Sequence, residues 1–208
     1  MENIKNKSYK QLQKEKMKDK LYRTAIKLFN EKGYHNTTIL EICNMCGIAK
    51  GTYYLYFQSK EDIIKMSFAN GIDAYLEEHI RDEIEADLGD SVTSRILFYI
   101  STALHYCKVV GREVTTLAFI FNLKQQLGSQ KINNLEEKRT IYLRKLIHEG
   151  MMEGLWLTEY SEEDVLGVID TFITGAMMTW CFSFEDYDID IQNKKMAESL
   201  LKGIIITK

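Results

Sequence analysis

An all-helical chain is predicted by three observations. There is no proline among the 208 residues, where average usage would give about ten. Apolar residues recur at helical spacing, most regularly Ile64, Phe68, Ile72, Leu76, Ile80 and Ile84, one every fourth residue. Helix punctuation is dense: Ser/Thr-x-x-acid starts at Thr38–Glu41, Ser59–Asp62 and Ser161–Asp164, and glycine stops at Gly33, Gly47, Gly89, Gly111, Gly128 and Gly154. A chain of this length buries a sizeable core, as one domain or as a small unit joined to a larger one.

The first helix is expected over about Lys10 to Lys32, with Leu21, Ala25, Leu28 and Phe29 on one face and Gly33 as its stop. Thr38 then starts a short helix, its hydroxyl placed for the amide three residues on while Glu41 reaches back. Ile39, Ile42, Cys43 and Cys46 form the buried side of that helix, and Gly47 ends it. After the turn Gly47-Ile48-Ala49, a second short helix runs from Lys50 to Phe57. Tyr53, Phe57 and Ile48 read as core plugs. From Ser59 a long helix carries the every-fourth-residue repeat and ends before Leu88-Gly89. Further helices are expected near residues 91–109, 112–127, 135–153, 161–184 and 190–206, with loops at 128–134 and 185–190.

Helix, tight glycine turn, short helix is the arrangement that sets a second helix into a DNA major groove. Lys50, Gly51, Thr52, Tyr54 and Tyr56 present a cation, a bare backbone, a hydroxyl and two phenols, groups suited to phosphates and base edges. Charge agrees. The formal net charge is -3, yet residues 1–60 hold twelve Lys/Arg against five Asp/Glu, and the rest hold fifteen against twenty-five. A head of +7 on a body of -10 is the electrostatic footprint of a DNA-binding unit. Lys5 to Lys16 reads either as part of that footprint or as a solvated segment.

At Gly33-Tyr34, Thr37-Thr38, the helix end from Ile42 to Gly47, Lys50 to Phe57 and Ser59-Lys60, the sequence resembles the TetR family of ligand-responsive transcriptional repressors. The resemblance is close over about the first 65 residues; beyond them length and helical layout match. It implies a helix-turn-helix DNA-binding domain over 1–65 and a helical effector-binding and dimerisation domain over 66–208. Lys50, Gly51, Thr52 and Tyr56 match the family's groove-facing positions; Thr38, Tyr54 and Lys60 match its phosphate clamps. Leu55 departs from the larger or polar residue of several relatives. The fourth helix would carry the effector signal by swinging the head, and a homodimer would present two heads to a palindromic operator.

The segment from Ser161 carries more apolar surface than one body helix usually needs. Val165, Val168, Ile169, Phe172, Ala176 and Trp180 are therefore dimer-interface candidates, with Gly175-Ala176 permitting close helix approach, against the alternative of intramolecular core. For a small-molecule effector, His105, Tyr106, Thr115, Thr116, Asn122, Trp156 and Trp180 are polar or amphipathic groups within apolar helical stretches. Any one of them reads more readily as a satisfied core group. The pair Cys43-x-x-Cys46 lacks the further ligands a zinc site needs and reads as buried thiols. No cofactor or metal is expected.

The sequence contains no Gly-x-Ser-x-Gly, P-loop, His-Glu-x-x-His or Glu-x-x-His motif, and His35, His79, His105 and His148 lie far apart, so an enzyme is disfavoured. An architectural DNA-binding protein without a ligand, or an activator on the same fold, remain as alternatives. No signal peptide is visible, the longest uncharged apolar run, Thr171 to Phe184, is too short for a bilayer, and a cytoplasmic protein without a membrane partner is expected.

Overall fold

The computed structural model describes residues 9–86, 91–128 and 136–206. They form helices α1 (Tyr9–Lys32), α2 (Ile39–Cys46), α3 (Lys50–Tyr53), α4 (Lys60–Ala86), α5 (Val92–Val110), α6 (Arg112–Gly128), α7 (Glu136–Met152), α8 (Glu162–Phe182) and α9 (Ile189–Ile204). Among the described residues there is no strand; one isolated antiparallel bridge, Trp156 to Ile205, ties the α7–α8 connection to the segment after α9.

Local chemistry sets the ends of the first helices. Thr38 caps α2: its hydroxyl accepts from the Glu41 amide at 3.2 Å, and the Glu41 carboxylate accepts from the Thr38 amide at 2.9 Å. At the other end Gly47 adopts φ 68°, which lets the Ile48 amide reach the Cys43 carbonyl at 3.0 Å and the Gly47 amide reach Asn44. The Lys20 ammonium donates to the Cys46 carbonyl at 3.0 Å, adding a cation where the helix dipole is negative.

The second short helix is shorter than its sequence suggests. α3 ends at Tyr53, and Leu55 and Tyr56 bond back three residues, to Thr52 and Tyr53, at 3.2 and 2.9 Å. This tighter winding lets both Tyr53 and Phe57 drop into the core, where they are fully buried. Ile64, Phe68, Ile72 and Leu76 of α4 are buried as the repeat predicts; the side chains of Ile80 and Ile84 lie outside the described residues.

In the body, α5 is the central column: ten of its nineteen residues are buried, and α4, α6, α7, α8 and α9 all pack on it. The buried residues make one cluster running from Leu21 to Ile204, so the head and body share a continuous core. Helix α8 is long and apolar enough, by length and composition, to cross a membrane, which counting only uncharged residues from Thr171 overlooked. It packs on α5, α6, α7 and α9 within the body, and its Val165, Ile169, Ile173 and Met177 are core residues.

Candidate nucleic-acid interface

The head is built to hold α3 rigidly while leaving its outer side bare. Tyr53 is buried, stacks at a tilt on Phe57 with centroids 5.9 Å apart, and donates its hydroxyl to the Ser59 carbonyl at 2.9 Å. Burial pushes its phenol well above the usual tyrosine range, so it is a neutral strut. On the opposite side Lys50 and Gly51 are exposed, Thr52 is half-buried, and Tyr54 is 40 % exposed. Nothing lies within 4 Å of where a Gly51 side chain would begin, so the backbone there is open to close approach by a partner. Tyr56 is half-buried, packed against the core on one side and solvent-facing on the other.

Two residues assigned to phosphates have internal work as well. The Thr38 hydroxyl, exposed at the start of α2, is the cap described above and also donates to Glu41. Lys60 needs a larger correction. Its ammonium donates to the Tyr34 and Thr37 carbonyls, each at 2.6 Å, and sits 4.4 Å from the centre of the Tyr34 ring. It joins the α1–α2 turn to the start of α4, leaving one of its three donors for a phosphate. Partial burial lowers its pKa, opposed by Glu113 and Glu41. The cation comes to these carbonyls because the turn exposes them without helical partners.

Glu41 is similarly anchored. Hydrogen bonds from Lys32 at 2.6 Å and from Thr38 bring its carboxyl from the ordinary 4.5 down to about 2. Cys43 and Cys46 are buried as expected; the Cys46 thiol donates to the Thr24 hydroxyl, and burial raises Cys43.

Polar contacts join head and body among the described residues. The Tyr34 amide donates to the Glu113 carboxylate of α6 at 2.9 Å. Deeper in, the hydroxyls of Tyr22 in α1 and Tyr106 in α5 meet at 2.5 Å, and Tyr106 also reaches the Phe68 carbonyl at 3.3 Å. Both rings are buried, and burial pushes the Tyr22 phenol up to about 12. The contact crosses α4 at Gly71, where any side chain would collide with the Tyr106 hydroxyl.

The residues named for an effector do not converge. Tyr106 is engaged as above. Thr115 and Thr116 bond back to the carbonyls of Gly111 and Arg112, and the Trp156 indole donates to the Ile147 carbonyl at 3.0 Å over the open side of Gly150. All have hydrogen-bond partners, and Tyr106, Thr115 and Trp156 are buried core groups. His105 is half-exposed and its Nδ1 lies 2.8 Å from Asp190, while Asn122 is half-buried on α6. Only Trp180 of the seven lines either of two body clefts. A cleft of about 650 Å³ at the α5–α6 corner is walled by Lys108, Gly111, Arg112, Trp180, Asp186, Tyr187 and Asp188. A second, of about 390 Å³ between α5 and α9, has Leu97, Phe98, Leu104 and Ala197 beside Ser101, Asn193 and the charged Asp190, Lys194 and Glu198. Sequence reasoning missed the second because its walls come from segments some ninety residues apart.

The dimer candidates also change. Val165, Ile169, Ala176 and Trp180 are buried inside the chain, and only Val168 and Phe172 keep partial exposure. The apolar stripe of α8 faces its own core because four body helices pack there. The side turned outward carries Gly167, Thr171 and Gly175, with Phe182 at 72 % exposure at its end, and α9 adds Met196 and Gly203.

Known proteins agree with this geometry. Residues 21–65, which span the head's core and α3, match the family described as bacterial regulatory proteins, tetR family. The fatty acid metabolism regulator protein of Bacillus subtilis is 26% identical over 187 residues, 86% of this chain and 91% of that protein. The negative transcriptional regulator IcaR of the Staphylococcus epidermidis biofilm operon is 36% identical over 168 residues, 80% of this chain and 83% of that protein. The crystal structure of FadR from Bacillus subtilis in complex with stearoyl-CoA superposes with a TM-score of 0.63 at 21% identity, covering 89% of this chain and 98% of that one. With a DNA-reading head of matching sequence and a body of matching fold, the chain is a DNA-binding transcriptional regulator belonging to the TetR family.

Proposed function

We propose that the chain is a dimeric repressor that occupies a palindromic operator and leaves it when a small molecule binds the body. The observation that carries this reading is the open outer side of α3, with Lys50, Gly51 and Tyr54 exposed and Thr52 half-buried over a buried Tyr53–Phe57 strut. Thr52 and Gly51 meet base edges; Lys50, Tyr54, Tyr56, Thr38 and the remaining donor of Lys60 meet phosphates. Residues 1–65 form the reading head and 66–208 the body, working in the cytoplasm without a membrane.

The outward faces of α8 and α9 pair with a second copy, bringing two heads about 34 to 36 Å apart, one turn of DNA. Their glycines allow helices to approach closely, which supports that face over the buried stripe. The effector sits in the α5–α9 cleft, whose volume is in the range of small-molecule sites and whose walls mix apolar side chains with two serines, an asparagine and the charged Asp190, Lys194 and Glu198. Binding there favours a different head spacing and weakens DNA affinity by the same coupling, typically 1 to 3 kcal/mol.

The test is selection of DNA from a random pool by the purified protein, followed by titration of the winner at two salt concentrations. A palindrome bound by a dimer far above the non-specific background is the expected result; affinity that tracks salt alone would instead favour an architectural protein. The selected duplex then reports effectors. Because a structural relative holds stearoyl-CoA, a long-chain acyl-CoA is the first compound to add, with release of the duplex as the readout.

A further inference from the structure

Helix α1 begins well before the head needs it. Its first fully buried residue is Leu21, yet the helix starts at Tyr9. The twelve residues Tyr9–Lys20 therefore form an overhang of about 18 Å at 1.5 Å per residue. All but Met17 and Lys18 in this overhang are exposed. It carries Lys10, Lys14, Lys16, Lys18 and Lys20 against Glu15 and Asp19, and Asp19 is already paired with Arg23 at 2.9 Å.

The lysines are not spread evenly. Lys10, Lys14 and Lys18 follow at i, i+4, i+8 and share one side of the helix. That side meets the turn after α3: Tyr9, Lys10, Gln13 and Lys14 form a groove of about 480 Å³ with Leu55 and Tyr56, and the Lys18 ammonium lies 5.9 Å from the Phe57 ring centre. Lys10 and Lys14 have no carboxylate in ion-pair range among the described residues. In the groove Leu55 is 73 % exposed and Tyr9 76 % exposed.

Three of the overhang's five lysines thus share one side and lie beside the recognition element. We propose that the α1 overhang is a second DNA-binding element, which follows the sugar–phosphate strand flanking the half-site read by α3. This rests on the DNA-binding reading above. Lys10 and Lys14 meet successive phosphates beyond those held by Tyr54 and Tyr56, and Leu55 and Tyr9 cover deoxyribose. The surface is continuous with the α3 face, and its charge complements a nucleic-acid backbone, which carries one negative charge per 1.7 Å of duplex axis. It contributes affinity and length dependence, not base choice.

The experiment compares the full-length wild type with the exposed double variant Lys10→Gln/Lys14→Gln on the operator selected from the random pool. Each is titrated between 50 and 200 mM salt, on a duplex ending at the palindrome and on one extended by about one helical turn on each side. Two lost phosphate contacts per protomer, four per dimer, flatten the slope of log affinity against log salt by about 3.6. Over that range the wild type should therefore lose roughly a hundredfold more affinity than the variant on the extended duplex. On the short duplex the two should agree, and Lys10→Arg/Lys14→Arg should restore wild-type behaviour. Equal slopes and equal length dependence, with the operator still selected by both proteins, overturn the overhang and leave the regulator reading intact. Failure of the wild type to select any operator overturns both.

Discussion

Thr38 and Glu41 decide whether α2 begins where the reading unit needs it. Each satisfies an amide of the other, and Lys32 adds a charge-assisted bond to Glu41. Thr38→Ala removes the hydroxyl that accepts from the Glu41 amide and should cost about 1 kcal/mol in a urea-unfolding series. Glu41 also gives the fold a pH dependence of defined sign. Its folded pKa lies below its ordinary value, so its contribution is complete above about 4.5 and fades as pH falls toward about 2. Glu41→Gln, which cannot ionise, should be less stable than wild type at neutral pH, and the gap should close across that acid window. A gap that stays constant down to pH 2 would show that the carboxylate's charge plays no part.

At the scale of elements, the α1–α4–α5 crossing couples the head to the body. Gly71 leaves a notch in α4 through which the Tyr22 and Tyr106 hydroxyls meet in a buried setting. Gly71→Ala forces the Tyr106 ring to move in a packed site and should cost on the order of 1 to 3 kcal/mol. Tyr106→Phe should cost about as much by leaving the buried Tyr22 hydroxyl without that partner, whereas Tyr22→Phe/Tyr106→Phe should regain most of the loss. Equal costs for the single and double variants, by thermal unfolding, would mean the hydroxyl pair contributes nothing. Sequence periodicity made α4 legible, since Ile64, Phe68, Ile72 and Leu76 fall on one side at helical spacing. The notch was not legible, because a glycine inside a helix shows its purpose only when distant rings arrive beside it. The head was legible for the converse reason: Thr38, Glu41 and Gly47 act on amides within five residues of themselves. His105, Thr115 and Trp156 have partners within the chain, because a polar group in an apolar helix finds a backbone carbonyl or a carboxylate as readily as a ligand.

Over the whole molecule, the dimer proposed above would bring two heads together through the outward face of α8 and α9. Sequence composition identified α8 as the helix with excess apolar surface, but four of the six side chains it singled out, Val165, Ile169, Ala176 and Trp180, fill the chain's own core. The outward side carries small residues, Gly167, Thr171 and Gly175, a weaker pattern that becomes visible once the packed side is known. The two sides make opposite predictions. Thr171→Arg/Gly175→Arg places bulk and charge on the outward face; the chain should stay folded but sediment at the 24.3 kDa of one copy in place of twice that mass. Palindrome selectivity should fall with it, while salt-sensitive binding to any duplex persists through the basic head. Ile169→Ala opens a cavity in the body instead and should cost about 2 to 5 kcal/mol, with the sedimenting mass unchanged. If the arginine variant remained a dimer and Ile169→Ala dissociated it, the apolar stripe would be the true interface. The two heads would then be held by the core that packs α8 against α5, and operator spacing would depend on body stability more than on the exposed small-residue face.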